Sequence, residues 1–399
     1  MPTLTDSPVW DLLGCSLPVV LAGMGGVSRS ELVAAVTTAG GFGFLGMVRE
    51  PPELIASEVE QLHRLGHRQF GVNIIPAATD PTLLQHQITT CIRLAVPVVC
   101  TFWDLDEQVT ERLRNAGILV VHQVGSVAEA MAAERAGVEI IIAQGREAGG
   151  HVRGDRPLRE LLPGIVDAVS VPVLAAGGLA TGGDLVAAMA LGAAGIVLGT
   201  TLMATDESFA HPYHKQRLLD AGPADTVLTS SFHINWPPGA PVRVLKNAVT
   251  AGERGDPEAT TRTVIGAEGS RPIYLFSTDS PLRSMTGDFE SMALYSGTGV
   301  GHIGANTSAG ERMDAIIAEA TALVALAAAP EEAAYSSTAC FAHEVSGAYM
   351  GHLDSEEIRA ELAMLACDLG SVLRTTPAPA DPPVEQPPFA QADIELARW

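Results

Sequence analysis

Three glycine-rich stretches carry the residues best suited to chemistry. The stretch Ala143-Gln144-Gly145-Arg146-Glu147-Ala148-Gly149-Gly150-His151 follows the apolar run Val138-Glu139-Ile140-Ile141-Ile142, which reads as a buried strand. Its glycines let the backbone approach a ligand closely. A histidine just past a strand's C-terminal end sits where parallel α/β proteins keep their reactive groups. With an ordinary imidazole pKa of ~6.5, His151 is a competent proton acceptor near neutral pH. Two more turns, Ala175-Ala176-Gly177-Gly178-Leu179-Ala180-Thr181 and Leu198-Gly199-Thr200-Thr201, follow the seventh and eighth strand-like runs. In a barrel, loops at those two places commonly hold a phosphate on glycine N–H groups and a short helix start. Gly178 and Gly199 leave room for the oxygens, and Thr200 adds a hydroxyl. Either turn alone reads equally well as a tight connection between strand and helix.

The chain has no Walker lysine, so the phosphate belongs with a cofactor laid across the barrel mouth. Asn73 and Gln144 end the third and sixth strands. Their amides offer donors and acceptors together, which suits the polar edge of an isoalloxazine ring. Backbone amides around Met24 and its neighbouring glycines could reach the same ring. Taken singly, Asn73 reads as a turn residue before Pro76, and Gln144 as a satisfied amide on the rim.

Behind these residues lies a regular alternation. Strands are expected at residues 17–22, 42–45, 70–75, 97–101, 118–123, 138–143, 171–176 and 194–198. Helices are expected at 51–65, 81–94, 106–116, 126–136, 158–169 and 181–191. One more helix should start at Ser28, with Glu31 completing a capping box. Eight such units fit a (β/α)8 TIM barrel of ~250 residues, and a doubly wound open sheet is the alternative. Residues 203–290 are rich in Pro, Gly and polar turns, including Trp236-Pro237-Pro238-Gly239, and read as a small α/β insertion after strand 8. A helix at 305–328 would complete the ring. The expected division is a barrel of 1–203 with 292–329, an inserted subdomain of 204–291, and a C-terminal extension of 330–399. The extension would hold a helix at 356–373 and a Pro-rich acidic arm from 375.

The formal net charge of -22 over 399 residues, with Lys215 and Lys246 the only lysines, argues against nucleic acid and anionic membranes as partners. Five scattered cysteines without a CxxC argue against a disulfide framework or structural zinc and fit a reducing cytoplasm. No basic leader opens the chain and no apolar run reaches the ~18 residues of a membrane helix. His63 with His67, and His211 with His214, lack accompanying carboxylates and read as ordinary surface or packing residues rather than metal ligands. His122 and Gln123 alternate at a strand end, so either could face the mouth. There is no GxSxG elbow, and no cysteine lies between Gly145 and Leu158 to act as a nucleophile.

As a set, Gly23-Met24-Gly25, Phe70-Gly71-Val72-Asn73, Ala143-Gln144-Gly145 through His151, Ala175-Ala176-Gly177-Gly178 and Leu198-Gly199-Thr200 resemble the nitronate monooxygenase family, formerly called 2-nitropropane dioxygenases. The resemblance runs from about residue 10 to 325 and includes Arg243-Val244-Leu245-Lys246-Asn247. It implies FMN on a (β/α)8 barrel and oxidation of alkyl nitronates, or nitroalkanes, by O2 to carbonyl compounds and nitrite. It implies FMN contacts from Ala22, Gly23, Met24, Asn73, Gln144, Gly149, Gly178, Gly199 and Thr200, with His151 as the catalytic residue and no metal. A homodimer is a further expectation. One departure is Thr298, in Tyr295-Ser296-Gly297-Thr298-Gly299, where the family often has glutamine. The same Glu-Ala-Gly-Gly-His stretch occurs in enoyl-acyl carrier protein reductase II, an FMN enzyme driven by NADH, which is the alternative activity. IMP dehydrogenase-like barrels share the phosphate turns but need the loop cysteine absent here. A non-catalytic flavin or phospholigand binder is the third reading.

Overall fold

A computed structural model describes residues 7–328, apart from 238 and 258–261. The expectations for 330–399 lie outside the described residues.

The eight expected strands form a closed parallel barrel. They are β1 (Val19–Leu21), β2 (Phe42–Gly46), β3 (Gly71–Ile74), β4 (Val98–Phe102), β5 (Leu119–Val124), β6 (Ile140–Gln144), β8 (Val173–Ala176) and β9 (Gly195–Leu198). The two-residue β7 (Gly150–His151) stands outside the barrel. Pairing of β9 with β1, Val20 opposite Val197, closes the ring. The strands are apolar throughout because a parallel sheet is buried on both faces. Phe42, Phe44, Val98, Val121, Ile140, Ile142 and Leu174 fill the interior. Gly71 yields its volume to Phe44, since a Cβ there would meet the Phe44 ring at 2.2 Å.

A helix before the first strand escaped the sequence reading. Helix α1 (Pro8–Leu13), capped by Ser7, sends Val9, Trp10 and Leu13 into the same interior cluster. It plugs the N-terminal end of the barrel, which leaves the strands' C-terminal ends as the open mouth.

Helices α2 (Ser30–Thr38), α3 (Pro52–Arg64), α4 (Pro81–Arg93), α5 (Glu107–Asn115), α6 (Val127–Arg135), α7 (Leu158–Ala168) and α8 (Gly182–Ala190) surround it. Asp80, Asp106, Ser126 and Thr181 cap α4, α5, α6 and α8 through their side chains, as such residues do before exposed N–H groups. The expected Ser28 cap is corrected. The Ser28 hydroxyl donates to the Ala22 carbonyl (2.8 Å) and accepts from the Met24 N–H (3.2 Å). It folds the turn after β1 and is spent there. Instead the Glu58 carboxylate accepts the Ser30 N–H at 2.7 Å, at the start of α2.

After β9 come α9 (Thr200–Met203), α10 (Pro212–Leu219), β10 (Thr226–Thr229), β11 (Val242–Leu245), β12 (Val264–Glu268), β13 (Arg271–Tyr274) and β14 (Met285–Gly287). With β7, these five strands make two three-stranded sheets, ordered β10-β11-β7 and β13-β12-β14. The chain then returns to the ring with α11 (Ala309–Ala328), which begins four residues later than expected and packs on α8 and α2. Glu319 of α11 accepts the N–H groups of Gly182 (2.9 Å) and Gly183 (3.3 Å), tying the last helix to the start of α8.

Candidate active site

The His151 loop is held from three sides. Through β7 it pairs with β11, placing His151 opposite Val242 and Gly150 opposite Arg243. The Arg243 guanidinium donates twice to the Arg146 carbonyl, at 3.2 and 2.8 Å. From inside the barrel, Gln144 Nε2 donates to the His151 carbonyl (2.9 Å) and Gln144 Oε1 accepts the Arg153 N–H (3.0 Å). A buried amide with both ends committed fixes the backbone on either side of Val152. This is the satisfied-amide reading of Gln144, and it gives that residue a positioning task.

His151 is only 8% exposed. Trp236 stacks on it with ring centroids 3.4 Å apart, and Trp103 and Tyr295 approach at 6.1 and 6.0 Å. Burial, and secondarily the Arg49 charge, hold its pKa well below the ordinary value. His151 is therefore neutral at pH 7. Its Nε2 is buried without a hydrogen-bond partner among the described residues. A buried polar atom left so is costly, which sets this ring apart from the satisfied Gln144 amide.

A cavity of about 730 Å³ opens at the barrel mouth. Ala22, Gly23 and Met24 after β1, Asn73 on β3, Gln144 on β6, Gly149 and His151 in the loop, Gly178 after β8, and Gly199 and Thr200 after β9 all line it. Every site residue expected from the sequence thus faces one space, of a size ordinary for a small-molecule site.

Its floor near β8 and β9 is a cradle of interlocked loops. Gly149 lies so close to the late loop that a Cβ would meet Gly297 N at 2.5 Å, and a Cβ on Gly299 would meet the Gly178 carbonyl at 2.5 Å. The Gly297 N–H donates to Thr200 Oγ1 (2.9 Å), and the Thr298 N–H to the Glu147 carbonyl (3.0 Å). The Thr200 hydroxyl keeps its own proton to donate. Gly177 and Gly178 take φ of 112° and 74°, which glycine alone adopts freely. Among the described residues, the N–H groups of Gly178, Leu179 and Gly199 donate to no protein acceptor. Such converging free N–H groups fit a phosphate. Across the mouth, the Met24 N–H is used within its own turn, on Ala22 O and Ser28 Oγ, so it is not a free ring donor. The N–H groups of Gly23 and Gly25 have no such partner among the described residues. Asn73 Nδ2 donates to the Gly23 carbonyl (3.1 Å).

Of the remaining pairs, Gln123 lines the cavity, whereas His122 turns outward to Thr101 Oγ1 at 2.8 Å, with burial pushing its pKa down to about 4. His214 is buried between Ser280 Oγ (3.2 Å) and the Tyr295 carbonyl (3.1 Å), and its pKa is likewise pushed down to about 4 by burial. His211 caps α10 and packs on Phe289. His63 packs on Phe70. Among the described residues no helix is long and apolar enough to cross a membrane.

Sequence reasoning missed Arg49, Trp236 and Tyr295 as wall residues. Tyr295 sits within the late glycine loop and could have been found there. Arg49 follows β2 in a stretch without motif, and Trp236 was visible only as part of a turn.

Known proteins agree with this architecture. The family model described as nitronate monooxygenase matches residues 6–319. The chain is 33% identical over 264 residues to a probable nitronate monooxygenase of Staphylococcus aureus, covering 55% of this chain and 74% of that one. A structure of FabK from Thermotoga maritima is 30% identical with a TM-score of 0.69, covering 80% of this chain and 97% of that one. A nitroalkane oxidase from Streptomyces ansochromogenes is 29% identical with a TM-score of 0.63, covering 79% and 98%. By the extent of the family match and the barrel-mouth site it encloses, the chain belongs to the nitronate monooxygenase family.

Proposed function

We propose that this chain is an FMN-dependent oxidoreductase that uses O2 to convert alkyl nitronates, and with the help of His151 neutral nitroalkanes, to carbonyl compounds and nitrite. The observation that carries the reading is one cavity that combines free N–H groups on glycine turns with a neutral histidine, His151, on its wall. Gly178, Gly199 and Thr200 would hold the phosphate. Gly23, Asn73 and the Gln144 region would border the ring. FMN bound there would supply the electron-accepting chemistry, with O2 as the final acceptor. The protein supplies the rest. The His151 imidazole accepts the α-proton of a neutral nitroalkane, and its neutral state at pH 7 keeps a lone pair available. A nitronate arrives already deprotonated and needs no such transfer. Ile75, Phe102, Trp236 and Tyr295 on the wall limit water around the reacting carbon. We further assign 204–291 as an inserted subdomain over the barrel of 1–203 and 292–329, because it contributes Trp236 and β11 to the His151 surroundings.

The test is direct. Purified protein is expected to be yellow, to release FMN on denaturation, and to take up O2 with an alkyl nitronate in the absence of NADH. Colourless protein would sink the cofactor assignment. Flavin bleached by NADH, with no O2 uptake on nitronates, would favour the enoyl-acyl carrier protein reductase II-like alternative.

A further inference from the structure

We propose that Arg49 is the anion anchor of this cavity and that it selects substrates carrying a planar, delocalised oxyanion. The charged groups on the wall are Arg49, Glu50, Glu268, Arg271 and Asp279. Glu50 is paired with Arg29 at 3.2 Å, and Arg271 bridges Glu268 at 2.8 Å and Asp279 at 2.9 Å. Among the described residues Arg49 makes no ion pair. Its guanidinium donates only to neutral acceptors, the Asn235 carbonyl at 2.5 Å and Thr278 Oγ1 at 3.2 Å. A guanidinium carries five N–H donors in a flat fork that matches two oxygens on one centre. Donors therefore remain for a ligand, and an oxyanion gives a charge-assisted bond that neutral acceptors do not.

The backbone adds a second observation. Arg49 adopts φ of 57°, a left-handed conformation that side-chain-bearing residues rarely take. Such strain is held where surrounding contacts demand it, commonly at binding sites. Here the turn after β2 aims the side chain at the cavity, where it clasps the segment bearing Trp236. Its charge also reaches His151. An anion seated on Arg49 offsets that charge and so makes His151 a better proton acceptor. For a neutral nitroalkane, the same guanidinium meets the negative charge that grows on the nitro oxygens as the proton leaves. The identity of the anion as a nitronate rests on the function proposed above; the anion site does not.

The probe is nitrate, an inert planar oxyanion, titrated calorimetrically against the purified holoenzyme at constant ionic strength. Nitrate is expected to bind, and Arg49→Met to weaken it by about tenfold or more, as loss of a charged hydrogen-bond donor implies. Arg49→Lys should recover part of the affinity, because it keeps the charge without the fork. Thr278→Val removes one clasp partner and keeps the cation, so it should retain nitrate binding. Unchanged nitrate affinity in folded Arg49→Met overturns the proposal, as does loss of binding in Thr278→Val equal to that in Arg49→Met. Arg49-dependent nitrate binding in a protein that fails to oxidise nitronates would leave the anion site standing and refute the assigned reaction. With active enzyme, Arg49→Met should raise KM for nitronates and lower kcat for nitroalkanes.

Discussion

Acid should destabilise this protein through buried neutral histidines, and replacing one of them should remove a defined share of that sensitivity. His122 and His214 are 2% and 0% exposed, and burial pushes both pKa values down to about 4. In the unfolded chain each returns to ~6.5. Below that value the unfolded state binds protons that the folded state refuses, so stability falls as pH falls from the unfolded pKa toward the folded one, and is complete above it. Each histidine contributes a slope of ~1.4 kcal/mol per pH unit inside that window. At about pH 4.5 each has cost roughly 2.5 kcal/mol, and the two together about 5. That is comparable to the ~5–15 kcal/mol total stability of an ordinary protein. His151 adds to it in the same direction. The perturbation is His122→Gln, which can still hydrogen-bond the Thr101 hydroxyl that now meets Nδ1 at 2.8 Å. Urea midpoints would be followed from about pH 8 to about pH 4.5. A packing penalty from the substitution shifts the whole curve. The loss of titration flattens its acid limb by ~1.3 kcal/mol per pH unit relative to the parent. Glu129, Asp104 and Arg153, which also act on His122, are present in both proteins and cancel in the difference. An acid limb of equal steepness in the two proteins would refute the burial argument.

Other substitutions test the site itself. His151→Asn should lower nitroalkane turnover by ~10²–10⁴-fold, the usual worth of a general base, while nitronate turnover falls far less; equal losses on both would leave His151 a binding role only. Because the folded His151 pKa is depressed, the acid limb of parental nitroalkane kcat/KM should lie well below the ordinary histidine range, and a limb at ~6.5 would contradict that. Gly199→Val should yield folded protein with little flavin, because a Cβ there meets only Met24 Sδ at 3.7 Å and Ala22 Cβ at 3.9 Å and the branches enter the cavity; full flavin content would remove Gly199 from the phosphate cradle. Gly178 is the poorer target, since its φ of 74° and a Cβ contact of 2.8 Å with Glu147 strain any side chain. Gln144→Leu strands the His151 carbonyl and the Arg153 N–H, each worth ~1–3 kcal/mol when buried and unpaired. Its urea midpoint should drop accordingly, and an unchanged midpoint would show that those bonds do not hold the loop.

The barrel and the membership of its mouth were legible in the sequence for one reason. Runs such as Val138-Glu139-Ile140-Ile141-Ile142 declare their strands locally, and once eight strands close in parallel, every strand-end loop must converge on one rim. That is why Gly23, Asn73, Gln144, Gly178 and Gly199, far apart in the chain, line one cavity. What the tertiary structure decided has no local pattern. Ser28 looked like a cap, but its hydroxyl was claimed by the turn after β1. Two residues of the His151 loop pair with β11, some ninety positions away, and a pairing that short leaves no periodicity to read. Arg49 and Trp236 reach the wall from loops whose course depends on packing between segments remote in sequence. The charge of His151 belongs to neither its type nor its neighbours in the chain. Burial beneath Trp236 and the field of Arg49 set it, and both exist only once the fold is made.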